Sequence, residues 1–494
     1  MNLDVLVITP PRSATVQKMI SRSYPEFPST DSVPLRAAQV LEEGGFKVQF
    51  LPLFNLFNNF SVEKDADDLS EYIGQYDTDV VLEINDYYIR SRGIPAYPAS
   101  LYVAHLMKEC NPNCHVILAG SHVSALRHSV FLDSQDVDVV IKLEGEAILC
   151  DLVKHLQKDG SLEEIKGILY RENGQIRETG GYGIVKELDS LPVPAYHLLR
   201  KWAEEIPNRM GRASGFVDLT LRTSYGCPHR CAFCGGTPTW NICRFRSAEK
   251  VAEDMEYAKD TLKGKNIRFF YFDDENFNIN MDHLTSIGHM MQKQDMRVEG
   301  VLAAVPYLTR ETAQEISKFS ESILVGAENA VDSILATVNK RQTFDQVLRA
   351  CKTAKEFKLG IDLQWVIGLP GEDAQTIPVN LHAIHRILMK GNARSVSPNL
   401  LRPQPGSDIG DHPEKYGIII HHKNWSEYHT KGSYPSFSSK TLTRSQIYVY
   451  YLMAEWIALE SSQIGNLYES HNMEPIVWEP DIGLFSRFME GVGL

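Results

Sequence analysis

Short apolar runs, each ending in a turn and giving way to an amphipathic helical pattern, recur twice along this chain, and that alternation constrains the fold more than any other feature. In the first 155 or so residues, β runs at Asp4–Thr9, Lys47–Leu51, Asp79–Ile84, His115–Ala119 and Val137–Lys142 are separated by helical stretches. Among these are Pro34–Glu43, with Leu35, Ala38 and Leu41 at helical spacing and Gly44-Gly45 as its stop, and Ser100–Cys110. The pattern predicts an α/β, doubly wound parallel sheet, which binds ligands in the crevice beyond the carboxyl ends of its strands. Those ends carry Thr9-Pro10-Pro11-Arg12-Ser13, Asn85-Asp86-Tyr87-Tyr88, Gly120-Ser121-His122 and Glu144-Gly145-Glu146.

Residues 163–188 break the rhythm. Gly167–Arg171 and Gln175–Glu178 flank Asn173-Gly174, a hairpin signal, and Asp189-Ser190-Leu191-Pro192-Val193-Pro194 reads as an extended linker. From about residue 216 the alternation resumes and counts to six, with strands expected at Val217–Thr223, Ile267–Phe272, Val298–Ala304, Ile323–Ala327, Ile361–Ile367 and Ser395–Leu401. Six βα units predict an open, partial (β/α)6 TIM-like barrel with its chemistry on the loops that follow the strands. A helical pattern at Ser445–Ser461, with Tyr448, Tyr451, Leu452 and Trp456, reads as a mainly helical C-terminal cap. The 494 residues thus divide into 1–160, a hairpin and linker at 161–215, a barrel at 216–410 and the cap at 411–494.

Composition narrows the function. A net charge of −13 argues against nucleic acid and against an anionic membrane surface as partners. No apolar run approaches the roughly 18 residues of a membrane span. The opening MNLDVLVITPP reads as a first strand rather than an export leader, and eight cysteines in 494 residues are too few for a disulfide scaffold. Together these features point to a reducing cytoplasm.

Immediately after the first barrel strand comes Ser224-Tyr225-Gly226-Cys227-Pro228-His229-Arg230-Cys231-Ala232-Phe233-Cys234-Gly235-Gly236. Three thiols so close can wrap one inorganic cube. A [4Fe–4S] cluster held by three cysteines, where four are usual, keeps one iron open to chelate the amino and carboxylate groups of a small molecule. Gly235 and Gly236 would let backbone approach that ligand. The alternative is a structural zinc site with His229 or Cys243 as fourth ligand. Cys110, Cys114, Cys150, Cys243 and Cys351 show no matching spacing and read as packed thiols.

The Cys-x3-Cys-x2-Cys run, with an aromatic before its third cysteine, resembles the signature of the radical S-adenosylmethionine (SAM) superfamily. Phe272-Asp273-Asp274-Glu275-Asn276-Phe277 resembles a second-strand Asp-Asp-x-Phe segment of its cobalamin-type members. Gly326-Ala327-Glu328-Asn329 with Asn339-Lys340 resembles their fourth-strand pattern, Gly368-Leu369-Pro370-Gly371-Glu372 the fifth-strand turn, and Pro403-Gln404-Pro405-Gly406-Ser407 the sixth. Residues 1–160 resemble the Rossmann-like cobalamin (B12)-binding domain that precedes the barrel in one large subfamily, through Gly120-Ser121-His122, Gly145-Glu146 and Leu188-Asp189-Ser190-Leu191-Pro192-Val193-Pro194-Ala195. Thr9–Val16 has no histidine, where some members supply one to cobalt.

The resemblance implies a cytoplasmic cobalamin-dependent radical SAM methyltransferase acting on an unactivated carbon of a small molecule, a secondary metabolite or lipid. Cys227, Cys231 and Cys234 would hold the cluster, whose electron comes from a flavodoxin- or ferredoxin-type donor. The electron would cleave SAM to a 5′-deoxyadenosyl radical, with cobalamin delivering the methyl group. SAM contacts would come from Phe233, Gly235, Gly236, Asp273, Asp274, Glu328, Gly368 and Gly371. Cobalamin contacts would come from Pro10, Asn85, Tyr87, Gly120, Ser121, His122, Gly145 and Glu146. Plainer roles compete with these. They are a helix N-cap for Asp273 or Asp274, an ion pair with Lys340 or Arg341 for Glu328, an empty turn for Gly368 and Gly371, packing for Phe233, Tyr87 and Tyr88, and a satisfied loop histidine for His122. At the level of function the alternatives are a radical enzyme that forms or rearranges rings or dehydrates without methylation, and a non-enzymatic metal- or cobalamin-binding sensor. A tRNA-modifying radical enzyme fits the negative charge poorly.

Overall fold

The computed structural model describes residues 3–11, 30–57, 60–85, 90–209, 216–235, 242–428 and 431–470. Two compact units divide the chain, the first built mainly from Pro28–Arg222 and Arg244–Phe270, the second from Thr223–Cys243 and Tyr271–Leu494.

The strands of the first unit are β1 (Leu3–Ile8), β2 (Thr30–Asp31), β3 (Val48–Leu51), β4 (Thr78–Ile84), β5 (His115–Ala119), β6 (Val139–Ile141), β7 (Ile168–Glu172), β8 (Gln175–Glu178) and β9 (Val217–Leu221). Seven of them form one sheet in the order β3-β1-β4-β5-β6-β7-β8. From β3 to β6 the neighbours are parallel, which is the flavodoxin-like order, and its switch point lies between β1 and β4. The central strands are continuous apolar runs, as burial on both faces requires: Val5, Leu6, Val7 and Ile8 are buried, as are Val80, Val81 and Leu82. The helix Ser32–Glu43 starts where the Asp31 carboxylate accepts the Val33 N–H at 3.0 Å, and it stops at Gly44 as expected. The Asn173-Gly174 hairpin forms, but as β7 and β8 it joins this sheet antiparallel to β6 and so is not part of a linker. Its apolar residues Ile168 and Leu169 are buried and complete that edge.

After β10 (Ser224–Tyr225) and β11 (Arg244–Phe245) come β12 (Ile267–Phe272), β13 (Val298–Ala303), β14 (Ser320–Glu328), β15 (Gly360–Ile367) and β16 (Ser395–Leu400). The second sheet runs β16-β15-β14-β13-β12-β9-β2. It contains the six expected strands in chain order, with parallel pairing from β12 through β16, and it ends at open edges, as in a half-barrel. The edge strand β2, two residues long, pairs parallel with β9 and was too short to read from sequence. The division between units falls at Arg222 and inside β12, not near residue 215. Helix Arg444–Ser470 packs on helix Thr376–Met389 and on β16. Tyr450 and Tyr451 are fully buried there while Trp456 is 65% exposed.

Candidate active site

In the second unit the functional residues lie at the carboxyl ends of the strands. The segment after β12 holds the cysteine loop rung by rung. Asp274 Oδ1 accepts the N–H groups of Thr223 at 2.8 Å and Ser224 at 3.0 Å, and its Oδ2 accepts the Thr223 hydroxyl at 2.5 Å. His283 Nε2 meets the same hydroxyl at 2.8 Å. Glu275 accepts the Gly226 N–H at 3.2 Å, and Asn276 Nδ2 donates to Cys227 Sγ at 2.9 Å. Asp274, expected at SAM, is thus a buried support of the loop that carries the thiols. Neither Asp273 nor Asp274 caps the following helix; Asn280 does, by accepting the His283 N–H at 3.0 Å.

The other side of the loop is stapled as well. Ala232 N–H donates to Val338 O at 2.8 Å, Asn339 Nδ2 to Arg230 O at 2.8 Å, Gln404 Nε2 to Phe233 O at 3.0 Å and Ile409 N–H to Ala232 O at 2.9 Å. The Phe233 carbonyl is therefore already engaged. Gly235 is buried, and Gly236 and Tyr87 lie outside the described residues.

Cys231 and Cys234 lie close enough to Cys227 to act on its charge. Burial pushes the Cys227 thiol up to about 12, and Cys234 and Cys231 add to the rise. Burial likewise lifts Cys231 to about 11, against the pull of Lys340 and with help from Cys234. Charged together they would repel, which suits a site completed by a positive inorganic core. Among the described residues, no three His, Cys, Asp or Glu side chains converge on a single-ion position. Cys243 Sγ instead lies 3.6 Å from the Gly226 carbonyl, and the His229 ring packs 5.7 Å from that of Tyr307.

Glu328 ends β14 at φ +65°, after a register shift between Gly326 and Glu328. Its carboxylate accepts Lys340 Nζ at 2.8 Å, and that ammonium lies 6.0 Å from the Phe233 ring centroid. Burial alone would lower the lysine's pKa, but Glu328 and then Cys231 outweigh it and hold Lys340 above the usual range. The ion pair weighed from sequence exists, and it lies beside the cysteine loop. A Cβ at Gly326 would fall 2.0 Å from Glu328 Oε1 and 2.6 Å from Lys340 Nζ, so any larger residue here would displace the ion pair.

Gly368 follows β15 at φ +89°, and a Cβ there would meet the Phe437 ring at 2.6 Å. Gly371 turns at φ +95°. Glu372 sits under this turn and accepts Gly368 N–H at 2.6 Å, Leu369 N–H at 3.0 Å, Asn329 Nδ2 at 2.8 Å and Tyr450 Oη at 3.1 Å. Burial raises its carboxyl to about 7 despite these donors. Sequence reading quoted Glu372 only as part of a motif; its role needs Tyr450, 78 residues away.

In the first unit, Pro10, Asn85, Gly120 and Gly145 follow β1, β4, β5 and β6 on one edge of the sheet, at the crevice side of its switch point. Buried polar atoms collect there. Asn85 Nδ2 donates to Ser100 Oγ at 3.3 Å, while its Oδ1 is buried with no hydrogen bond among the described residues. Glu83, on β4, is fully buried beside the Ser100 hydroxyl, and burial pushes its carboxyl well above the usual range. Sequence reading missed it, because a single Glu in an apolar strand carries no periodic signal. Gly120 at φ +132° turns the chain into the helix Ser121–Leu126. His122 packs edge-on against Tyr97 at 5.3 Å. Glu144 is committed to Arg244 and to the Val185 N–H at 3.1 Å, which leaves Glu146 as the acid of that loop.

Burial lifts Glu146 to about 7 from 4.5, with Glu144 adding to the rise. The folded state therefore keeps a proton that the unfolded chain releases near 4.5. The associated stability is complete below that pH and drains away as pH rises toward 7, by on the order of 3 kcal/mol. Glu146→Gln, which cannot ionise, should melt close to wild type at pH 5 and above it at pH 8. A melting difference that is the same at both pH values would refute this.

Comparison with known proteins places these features in a family. Residues 221–382 match the model of the radical SAM superfamily. The chain is 24% identical over 452 residues to an uncharacterized methyltransferase, PH0819, of Pyrococcus horikoshii, covering 90% of each. It is 24% identical over 330 residues to the anaerobic magnesium-protoporphyrin IX monomethyl ester cyclase of Rubrivivax gelatinosus, covering 64% of this chain and 57% of that one. Its fold superposes on the radical SAM methyltransferase TsrM from Kitasatospora setae with a TM-score of 0.65 at 15% identity, over 99% of both chains. Residues 221–382 thus carry a radical SAM domain, and the chain's α/β architecture, with a half-barrel of parallel strands, is the one seen in TsrM.

Proposed function

We propose that the protein is a cobalamin-dependent radical SAM methyltransferase that alkylates an unactivated carbon of a small molecule. One observation carries the reading: the neighbouring thiols Cys227, Cys231 and Cys234 lie on the barrel's catalytic face beside the buried Glu328–Lys340 pair. When bound, the cluster supplies one-electron cleavage of SAM and cobalamin supplies a transferable methyl group. The chain's own residues do the rest. The three cysteines hold the cluster. Glu328 and Lys340 present a carboxylate and an ammonium, the electrostatic complement of the ammonium and carboxylate at the methionine end of SAM. The turn at Gly368–Gly371, clamped by Glu372, offers close backbone approach, and Phe233, Gly235, Gly236 and Asp273 complete the SAM side. Pro10, Asn85, Tyr87, Gly120, Ser121, His122, Gly145 and Glu146 are assigned to cobalamin; the buried, hydrogen-bond-poor oxygens at the first sheet's crevice suit a large polar ligand. The reading calls for an external one-electron donor of flavodoxin or ferredoxin type and a reducing cytoplasm, and nucleic acid is not the substrate class. Among the described residues no helix is long and apolar enough to cross a membrane.

The test is anaerobic reconstitution followed by product counting. Iron near four per chain with sulfide, cobalt uptake, and both S-adenosylhomocysteine and 5′-deoxyadenosine as products are expected. 5′-Deoxyadenosine alone would favour ring formation or rearrangement, the second reading, which the likeness to a named cyclase supports. Zinc without iron would overturn both. Within this reading, Gly326→Ala drives a methyl group into the Glu328–Lys340 pair and should weaken SAM binding by roughly tenfold or more, since a charged hydrogen bond is worth about 1.5–3 kcal/mol. Equilibrium titration of the reconstituted variant with SAM checks it; unchanged affinity would remove the pair from the SAM site.

A further inference from the structure

Three successive residues after β12 hold the cysteine loop, but they do so differently. Asp274 and Glu275 accept main-chain N–H groups of Thr223, Ser224 and Gly226, and so fix where the loop runs. Asn276 alone reaches a sulfur: its Nδ2 donates to Cys227 Sγ at 2.9 Å. Of the three cysteines, Cys227 is the one given a side-chain donor among the described residues. A thiolate can only accept, so the amide must present its NH2 edge to it. The loop's path does not depend on this contact, because the neighbouring carboxylates and the staples from Val338, Asn339, Gln404 and Ile409 hold it. What the contact changes is the charge on the sulfur. An N–H aimed at a cluster-ligating sulfur stabilises the more electron-rich state, and hydrogen bonds to the sulfurs are among the factors that set the potential of an iron–sulfur cluster.

We propose that Asn276 is a redox-tuning residue that makes the cluster held by Cys227, Cys231 and Cys234 easier to reduce. The inference rests on the cluster assignment above. The step it concerns is the addition of one electron from a low-potential donor to the oxidised cluster; no bond is made or broken, and the amide proton stays on nitrogen. With the donor removed, the same electron is accepted less readily. An aspartate in its place removes the donor and adds a negative charge beside the sulfur, which opposes reduction further.

The experiment is an anaerobic redox titration with dithionite, followed by electron paramagnetic resonance of the reduced cluster, on reconstituted wild type, Asn276→Leu and Asn276→Asp. Iron and sulfide are assayed on each sample. The expected result is full cluster content with the reduction equilibrium shifted about tenfold against the reduced form in Asn276→Leu, which is about 59 mV more negative for one electron. Asn276→Asp should shift it further in the same direction. Unchanged potentials in both loaded variants would overturn the proposal. So would failure of both variants to take up iron, since Asn276 would then be needed for assembly rather than tuning. A wild-type protein that takes up no iron fails the proposed function itself, which keeps the two failures apart.

Discussion

Replacing Cys231 by alanine is expected to abolish cluster assembly and, with it, SAM cleavage. Removing a residue that only orients a metal ligand typically costs 10–100-fold in affinity or activity, and removing one of three ligands outright should exceed roughly 100-fold. The fold should survive. The neighbouring contacts are made by main chain: Cys234 N–H donates to Cys231 O at 3.0 Å, and Ala232 is held through its own N–H and carbonyl. The measurement is iron and sulfide content after anaerobic reconstitution, with circular dichroism to verify folding. Cys110→Ser is the control, because that thiol is exposed and lies in the other unit. Iron near four per chain in Cys231→Ala would sink the assignment of the site.

The largest effect on stability is expected at Asp254, on the helix Ala248–Thr261. Its carboxylate, 1% exposed, accepts from Arg36 Nη2 at 2.7 Å and from Arg246 Nε and Nη2 at 3.1 Å each. Both guanidinium groups are themselves 1% exposed. Their other nitrogens donate to linker carbonyls, Arg36 to Pro192 O at 2.5 Å and Arg246 to Leu188 O at 2.6 Å and Leu191 O at 3.1 Å. Asp254→Ala would leave two buried cations sharing no anion, a loss of about 3–5 kcal/mol. Against a total of about 5–15 kcal/mol this is a severe defect. A lowered melting temperature and faster proteolysis between residues 188 and 194 are the expected readouts. A melting temperature within a degree of wild type would refute it. Asp254→Asn, which keeps two of the acceptor contacts, should fall between.

That linker also shows where sequence reading stops. Asp189–Pro194 reads as extended because proline fixes φ and removes donors, and the structure agrees only in part, with a short 3-10 turn at Leu188–Ser190. Its carbonyls are paid attention by Arg36 and Arg246, which no local rule connects to it. The hairpin at Asn173-Gly174 was legible from its turn chemistry, whereas its membership of the first sheet was not, because pairing with β6 depends on a partner 27 residues away.

The site divides in the same way. The three cysteines, Glu328 and the glycines at 368 and 371 were readable because each is a residue type demanded locally, by ligation, by a strand end or by a positive φ. Asp274 was readable as important but not as a support of the loop, since its partners Thr223 and Ser224 lie 50 or so residues earlier. Asn276, Glu83 and the Glu372–Tyr450 contact carried no local signal at all.

What the sequence determined by itself was the order of strands and helices, the position of the thiols after the first barrel strand, and the places where only glycine fits. These follow from periodicity, spacing and backbone sterics, which act over a few residues. What only the tertiary structure decided was which buried charge meets which partner, which acid is left protonated and which amide reaches a sulfur. Desolvation and hydrogen bonding act across space, and a residue's neighbours in space are fixed only when the strands have paired and the helices have packed.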